Sequence, residues 1–202
     1  MILDAGCGNR AMWEEKQVDN IIYLDVEKEL QRKPTIFASN THLPFRDREF
    51  DTVFFDPPFK WNCDDHQFFS FPNRKKLWEK YPNIRPDTSP PSYYGIERYK
   101  TRSELVSYIY RAEKELHRIL KPDGCLWLRW CNMVAMEEKH VLNIFANWTP
   151  MLTHEIGNSK RVTGETSSYW FLLMKKSLKF QQPELLNSTE SCFPNKVSSE
   201  QK

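Results

Sequence analysis

Short apolar runs parted by polar stretches organise this chain, and most of them have strand length. Met1-Ile2-Leu3-Asp4 reads as a strand entering a glycine turn, with Ala11 to Val18 forming the helix that follows. Ile21-Ile22-Tyr23-Leu24 is wholly apolar and closes on Asp25, the pattern of a buried second strand. Pro34 to Ala38 is a third short strand. Leu43-Pro44-Phe45 then leads to Asp51-Thr52-Val53-Phe54-Phe55, a fourth strand that delivers Asp56 at its carboxyl end. Strands alternating with helical stretches indicate a parallel sheet wrapped by helices.

The pattern breaks from Lys60 to about Lys100, a stretch rich in Pro, Asn, Asp and Tyr and far longer than an ordinary connection. It resumes at Ser103, read as a helix cap, after which Leu105, Ile109, Ala112, Leu116 and Ile119 recur at helical spacing. Leu120-Lys121-Pro122-Asp123-Gly124 reads as the stop, and Cys125 to Trp130 as the fifth strand. Glu137 to Trp148 reads as another helix. Two last strands, Met151 to Ile156 and Ser168 to Lys175, flank a polar connection over Gly157 to Thr166. The polar, aperiodic stretch 177–202 reads as a disordered tail, which leaves one domain over 1–176.

Composition narrows the class. With 202 residues, 40% of them apolar, the chain buries one good core. Neither a membrane-length apolar run nor a leader pattern is present, which points to an intracellular, cytoplasmic protein with no membrane partner. Five scattered cysteines suit a reducing compartment and build no zinc site. Cys63, Asp64, Asp65 and His66 lack a second ligand cluster, since His117, His140 and His154 are dispersed, so no metal is expected. The formal net charge is only +2, so any nucleic-acid contact must come from a local patch.

Two elements carry chemistry. The turn Leu3-Asp4-Ala5-Gly6-Cys7-Gly8-Asn9-Arg10 holds two of the six glycines, and such a turn lets backbone approach a ligand closely. Asp25 follows Gly8 by 17 residues, a spacing suited to an acid that accepts ribose hydroxyls from the end of the second strand. Arg10 stands where a dinucleotide fingerprint has its third glycine, which argues against a bound pyrophosphate. The other element is Asp56-Pro57-Pro58-Phe59.

Together these motifs resemble the class I S-adenosylmethionine-dependent methyltransferases of the (Asp/Asn/Ser)-Pro-Pro-(aromatic) type. The resemblance spans about Met1 to Lys176. It implies a Rossmann-like sheet, mostly parallel with the last strand antiparallel, flanked by helices and carrying an insertion after strand 4. It implies S-adenosyl-L-methionine as cofactor, bound around Asp4, Ala5, Gly6, Cys7, Gly8, Asp25 and Val26. Ser39 or Asn40 falls where an acidic residue commonly reads the adenine amino group. His42 and Trp130 are further candidates for the donor pocket. The chain begins inside the first strand, so the helix that precedes it in the family is missing. Either this is a minimal version or a shortened form, and a partner chain then completes the N-terminal side of the donor pocket.

In this family the acceptor is an exocyclic amine, a poor nucleophile because its lone pair is delocalised into the ring. The Asp56 side chain and the Pro57 carbonyl supply two acceptors that draw the nitrogen toward tetrahedral geometry. Pro57 and Pro58 stiffen the backbone, and Phe59 offers a face on which a base stacks. Transfer is then a direct in-line displacement helped by orientation, with no metal and no covalent enzyme intermediate.

The insertion 60–102 holds nine Lys and Arg against five acids, interleaved with nine Trp, Phe and Tyr. Cations that follow phosphates and aromatic faces that stack bases suit an exposed nucleotide strand, with Trp61, Lys75, Lys76, Tyr93 and Tyr94 the substrate-binding candidates. The same aromatics would also pack inward as a lid. The expected activity is N-methylation of a base in DNA or RNA, adenine N6 foremost. Methylation of a small molecule or protein amide is one alternative, and an inactive donor-binding partner subunit is another.

Overall fold

A computed structural model describes residues 1–59, 98–132, 136–161 and 164–176; for 157–167 it describes backbone only. In chain order the elements are β1 (Ile2–Ala5), β2 (Ile21–Asp25), β3 (Ile36–Phe37), β4 (Phe50–Phe55), α1 (Arg102–Ile119), β5 (Leu120–Cys131), α2 (Glu138–Ile144), β6 (Trp148–Arg161) and β7 (Gly164–Lys175). The strands form one seven-stranded sheet in the order β3-β2-β1-β4-β5-β7-β6. β1 to β5 pair in parallel, and β7 runs antiparallel to both β5 and β6. This is the Rossmann-like sheet expected from the sequence, mostly parallel with the last strand antiparallel. The putting together of 1–176 as one domain, the insertion candidates Trp61, Lys75, Lys76, Tyr93 and Tyr94, and the tail 177–202 fall wholly or partly outside the described residues.

One face of the sheet carries the main core. Leu3, Ala5, Leu24, Val53, Phe55, Leu126, Leu128 and Leu173 pack against Leu105, Ile109, Ala112, Leu116 and Ile119 of α1. Each fully buried aliphatic side chain contributes about 1.5–3 kcal/mol. The helix is capped by Thr101 rather than by Ser103, because the Thr101 hydroxyl accepts the Glu104 amide at 3.2 Å. Glu113 lies buried on α1 and accepts the indole N–H of Trp148 at 2.8 Å, tying the helix to the start of β6. Near the helix end, Arg118 donates to the carbonyls of Leu43 and Phe45 and to Asp47, while Glu115 accepts the Leu43 amide. These bonds fasten the Leu-Pro-Phe segment beneath β4.

Four more expectations are corrected. Leu120 to Gly124 is not a stop ahead of the fifth strand: β5 already begins at Leu120, which pairs with Phe50. Residues 11–18 form turns and bends instead of a helix. Arg10 explains the change: its φ of 60° turns the chain, and its buried guanidinium lies 3.8 Å from the Tyr23 ring centroid. That guanidinium takes the Lys16 and Lys33 carbonyls and the Gln17 side chain. A buried cation needs those acceptors more than an eight-residue helix gains by forming. Glu137 to Trp148 is helical only over Glu138–Ile144, because Trp148 already pairs with Lys175 in the sheet. Within the polar connection, 157–161 and 164–166 are strand as well, since β6 runs to Arg161, which pairs with Gly164 at the start of β7. Backbone pairing, which carries no sequence period, sustains it.

Candidate donor and acceptor site

The register of the sheet brings the acids together. Asp4 pairs with Tyr23 on one side and Phe54 on the other, so Asp25, Asp4 and Asp56 come from neighbouring strands β2, β1 and β4 at the same sheet end. The three carboxylates share one region with Arg10 and Arg129 as nearby cations. Three carboxylates against two cations make a cluster that favours a cationic ligand when the acids are ionised.

Asp4 is fully buried. Its Oδ2 accepts the Trp13 indole N–H at 2.7 Å, whereas its Oδ1 is buried without a partner. Burial lifts its pKa to about 7, with the Trp13 bond opposing and the charges of Asp56 and Asp25 adding to the rise. Trp13 escaped the sequence reading, because the expected helix gave no reason to turn it inward.

Asp25 uses both oxygens locally. Oδ2 accepts the Gly8 amide at 2.9 Å and Oδ1 the Glu27 amide at 2.8 Å. These bonds lock the glycine turn to the end of β2, and each carboxylate oxygen keeps a further lone pair for a hydroxyl. The amides of Gly6 and Cys7 both donate to the Leu24 carbonyl, at 2.9 and 3.0 Å. The turn's first amides are thus committed to holding the turn itself, and residues 11–18 supply no helix terminus for an anion.

Gly6 is where the two motifs meet. Its φ is 101°, and a Cβ built on it would lie 3.1 Å from the backbone oxygen of Asp56 and 3.9 Å from Asn40 Nδ2. Gly8, at φ 48°, faces open space. Gly6→Ala is therefore expected to cost about 1–3 kcal/mol in backbone strain, since the atom it meets is backbone and cannot swing away. Donor affinity should fall by about tenfold, which corresponds to about 1.4 kcal/mol. Urea unfolding and calorimetric titration check both.

Asn40 and Ser39 are separated by their surroundings. Ser39 turns to the hydroxyl and amide of Thr41. Asn40 is buried, donates to the Tyr108 hydroxyl at 3.1 Å, and leaves its Oδ1 buried without a partner. The Tyr108 hydroxyl is pushed up to about 12 by burial. Of the remaining candidates, Ala5 and Cys7 are buried and offer backbone only, and burial raises the Cys7 thiol. Val26 is 48% exposed at the mouth beyond Asp25. His42 is exposed and hydrogen-bonds Thr41. Trp130 does not enter the pocket: it is in the core, donating to the Met136 carbonyl, with Phe59 edge-on at 6.4 Å.

At the acceptor end, Phe55 pairs with Leu128, which sets Asp56 beside Arg129 on the opposite face from the core. Arg129 Nη1 donates to Asp56 Oδ2 at 2.8 Å, with the side chains 41% and 26% exposed. Burial raises the Asp56 carboxyl above its ordinary value, and the Arg129 charge and hydrogen bond oppose that rise. Arg129 was missed although a signal existed, a lone charge inside the apolar run Cys125 to Cys131. Pro57 is buried, while Pro58 and Phe59 are half-buried. Among the described residues no His, Cys, Asp and Glu group is placed to hold a metal, and no helix is long and apolar enough to cross a membrane.

Comparison with solved structures gives a shared fold in the first case and a weaker match in the second. One is the PH0226 protein from Pyrococcus horikoshii OT3, 14% identical, with a TM-score of 0.52 over 87% of this chain and 81% of that one. Another is a SAM-dependent methyltransferase from Methanosarcina mazei, 13% identical, with a TM-score of 0.45 over 86% of this chain and 91% of that one. No family model and no curated protein matches the sequence.

Proposed function

We propose that this chain is an S-adenosyl-L-methionine-dependent N-methyltransferase acting on an exocyclic amino group of a nucleic-acid base, adenine N6 foremost. The observation that carries the reading is the close approach of Gly6 to the Asp56 carbonyl, which joins the donor turn to the acceptor element. A Cβ on Gly6 would lie 3.1 Å from that oxygen. Beside that approach lie two buried acceptors without partners, Asp4 Oδ1 and Asn40 Oδ1. Buried acceptors of this kind call for a partner, which a bound ligand or water supplies.

The residues present fit this cofactor. Asp4 would face its ammonium group, Asn40 an amino or hydroxyl hydrogen, and Asp25 its hydroxyls, while the acidic surroundings favour its positive charge. When bound, S-adenosyl-L-methionine supplies a methyl group on a sulfonium leaving group. Asp56 and the Pro57 carbonyl accept the hydrogens of the substrate's amine, and Phe59 gives the base a surface to lie on. The work assigned to the protein is orientation and localisation of one lone pair.

Transfer of labelled methyl to unmethylated DNA and RNA, followed by digestion and nucleoside mass analysis, tests the proposal. Methylated adenosine is the expected product. Label found only on a small molecule or a protein amide would reassign the acceptor. Donor binding with no transfer to any acceptor would make the chain a binding subunit.

A further inference from the structure

The acceptor carboxylate is held by a residue that the (Asp/Asn/Ser)-Pro-Pro-(aromatic) motif does not contain. Arg129 is the sole charge between Cys125 and Cys131, on a strand whose alternate positions are buried. It sits one residue beyond the Phe55–Leu128 pair, so strand register, not a chance side-chain encounter, lays its guanidinium against Asp56 Oδ2 at 2.8 Å. Among the described residues, that is the bond Asp56 makes through its side chain. Oδ1 is left over.

We propose that Arg129 is a positioning residue for the acceptor: it clamps one oxygen of Asp56 and thereby presents the other to the amine. The inference rests on the methyltransferase reading for its consequence, though the clamp itself is independent of it. An ionised carboxylate accepts at both oxygens without a hydrogen of its own; a protonated one carries a hydrogen on one oxygen, which faces either the guanidinium or the amine. Burial pushes Asp56 toward the protonated form, and Asp4 of β1 is the other acid facing it, with Asp25 behind Asp4. From α1, Tyr108 reaches the pocket through Asn40 and adds no charge. Arg129 of β5 is therefore the cation that opposes this rise and favours the ionised form of Asp56. Its guanidinium is also exposed enough to be reached by the substrate.

The test compares parent, Arg129→Gln and Arg129→Lys. First, the carboxyl carbon of Asp56 is followed by NMR titration in the ligand-free proteins, with Asp56→Asn identifying the signal. Its midpoint is expected to rise by about one pH unit or more in Arg129→Gln, a tenfold change in proton affinity, and by less in Arg129→Lys. Second, the acid limb of the kcat profile should move upward by the same amount, so that Arg129→Gln regains activity in alkali. Lysine should restore the limb but not the full rate, because it lacks the planar fork. Donor affinity and Tm should stay near the parent values. An unmoved Asp56 midpoint would overturn the inference, as would a rate loss that is the same at every pH. If the parent transfers no methyl group, the functional reading fails, and the titration still decides whether Arg129 governs Asp56.

Discussion

Asp56→Ala is expected to lower methyl transfer by about a hundred- to a thousandfold, the scale seen when one preorganised group facing the reacting atoms is removed. Donor affinity should be kept, because Asp4, Gly6, Asn40 and Asp25 all remain. A smaller effect goes the other way. Asp56 raises the Asp4 pKa through like-charge repulsion, so its loss lets Asp4 ionise more readily and strengthens binding of a cationic donor near neutral pH. Labelled-methyl kinetics and calorimetry on the same preparation separate the two effects. Equal loss of binding and transfer would place Asp56 in donor binding instead, and unchanged transfer would remove it from the chemistry.

Asp4 should make stability depend on pH. Its folded-state pKa of about 7 stands above the ordinary aspartate value of 3.8. Between those values the folded chain keeps a proton that the unfolded chain has released, so stability falls as pH rises through the window and levels off above it. Three units correspond to at most about 4 kcal/mol. Asp4→Asn keeps an acceptor for the Trp13 indole and removes the titration. It should match the parent at the acid end and exceed it in alkali by about 2–4 kcal/mol. Donor binding should show the opposite dependence. An ammonium group beside Oδ1 favours ionised Asp4, so parent affinity should increase with pH across the same window, and the variant should bind weakly and without that slope. Urea unfolding at a series of pH values, with donor titrations alongside, reads both. Parallel stability curves for parent and variant would show that Asp4 does not titrate in this window.

The two expectations oppose each other by design of the site. A carboxylate buried with one bare oxygen costs stability until a ligand meets it. Asn40, with its own bare Oδ1, is the neutral counterpart of the same arrangement.

Sequence alone determined what depends on near neighbours. The apolar runs at Ile21 to Leu24, Asp51 to Phe55 and Cys125 to Trp130 are strands because alternation and β-branched or aromatic residues act within a few positions, and the helical spacing from Leu105 to Ile119 acts likewise. Gly6 was legible because its positive φ suits glycine, and Asp4, Asp25 and Asp56 because strand ends deliver side chains to one edge. What only the tertiary structure decided involves partners far apart in the chain. Asn40 rather than Ser39 enters the site because Tyr108, 68 residues on, takes its amide. Residues 11–18 lose their helix to a buried Arg10 that needs the carbonyls of Lys16 and Lys33. Arg129 meets Asp56 across 73 residues through the register of β4 on β5. Local propensity carries no record of register, and the pairing of strands, which buries one face and aligns the other, is what turned separate motifs into one site.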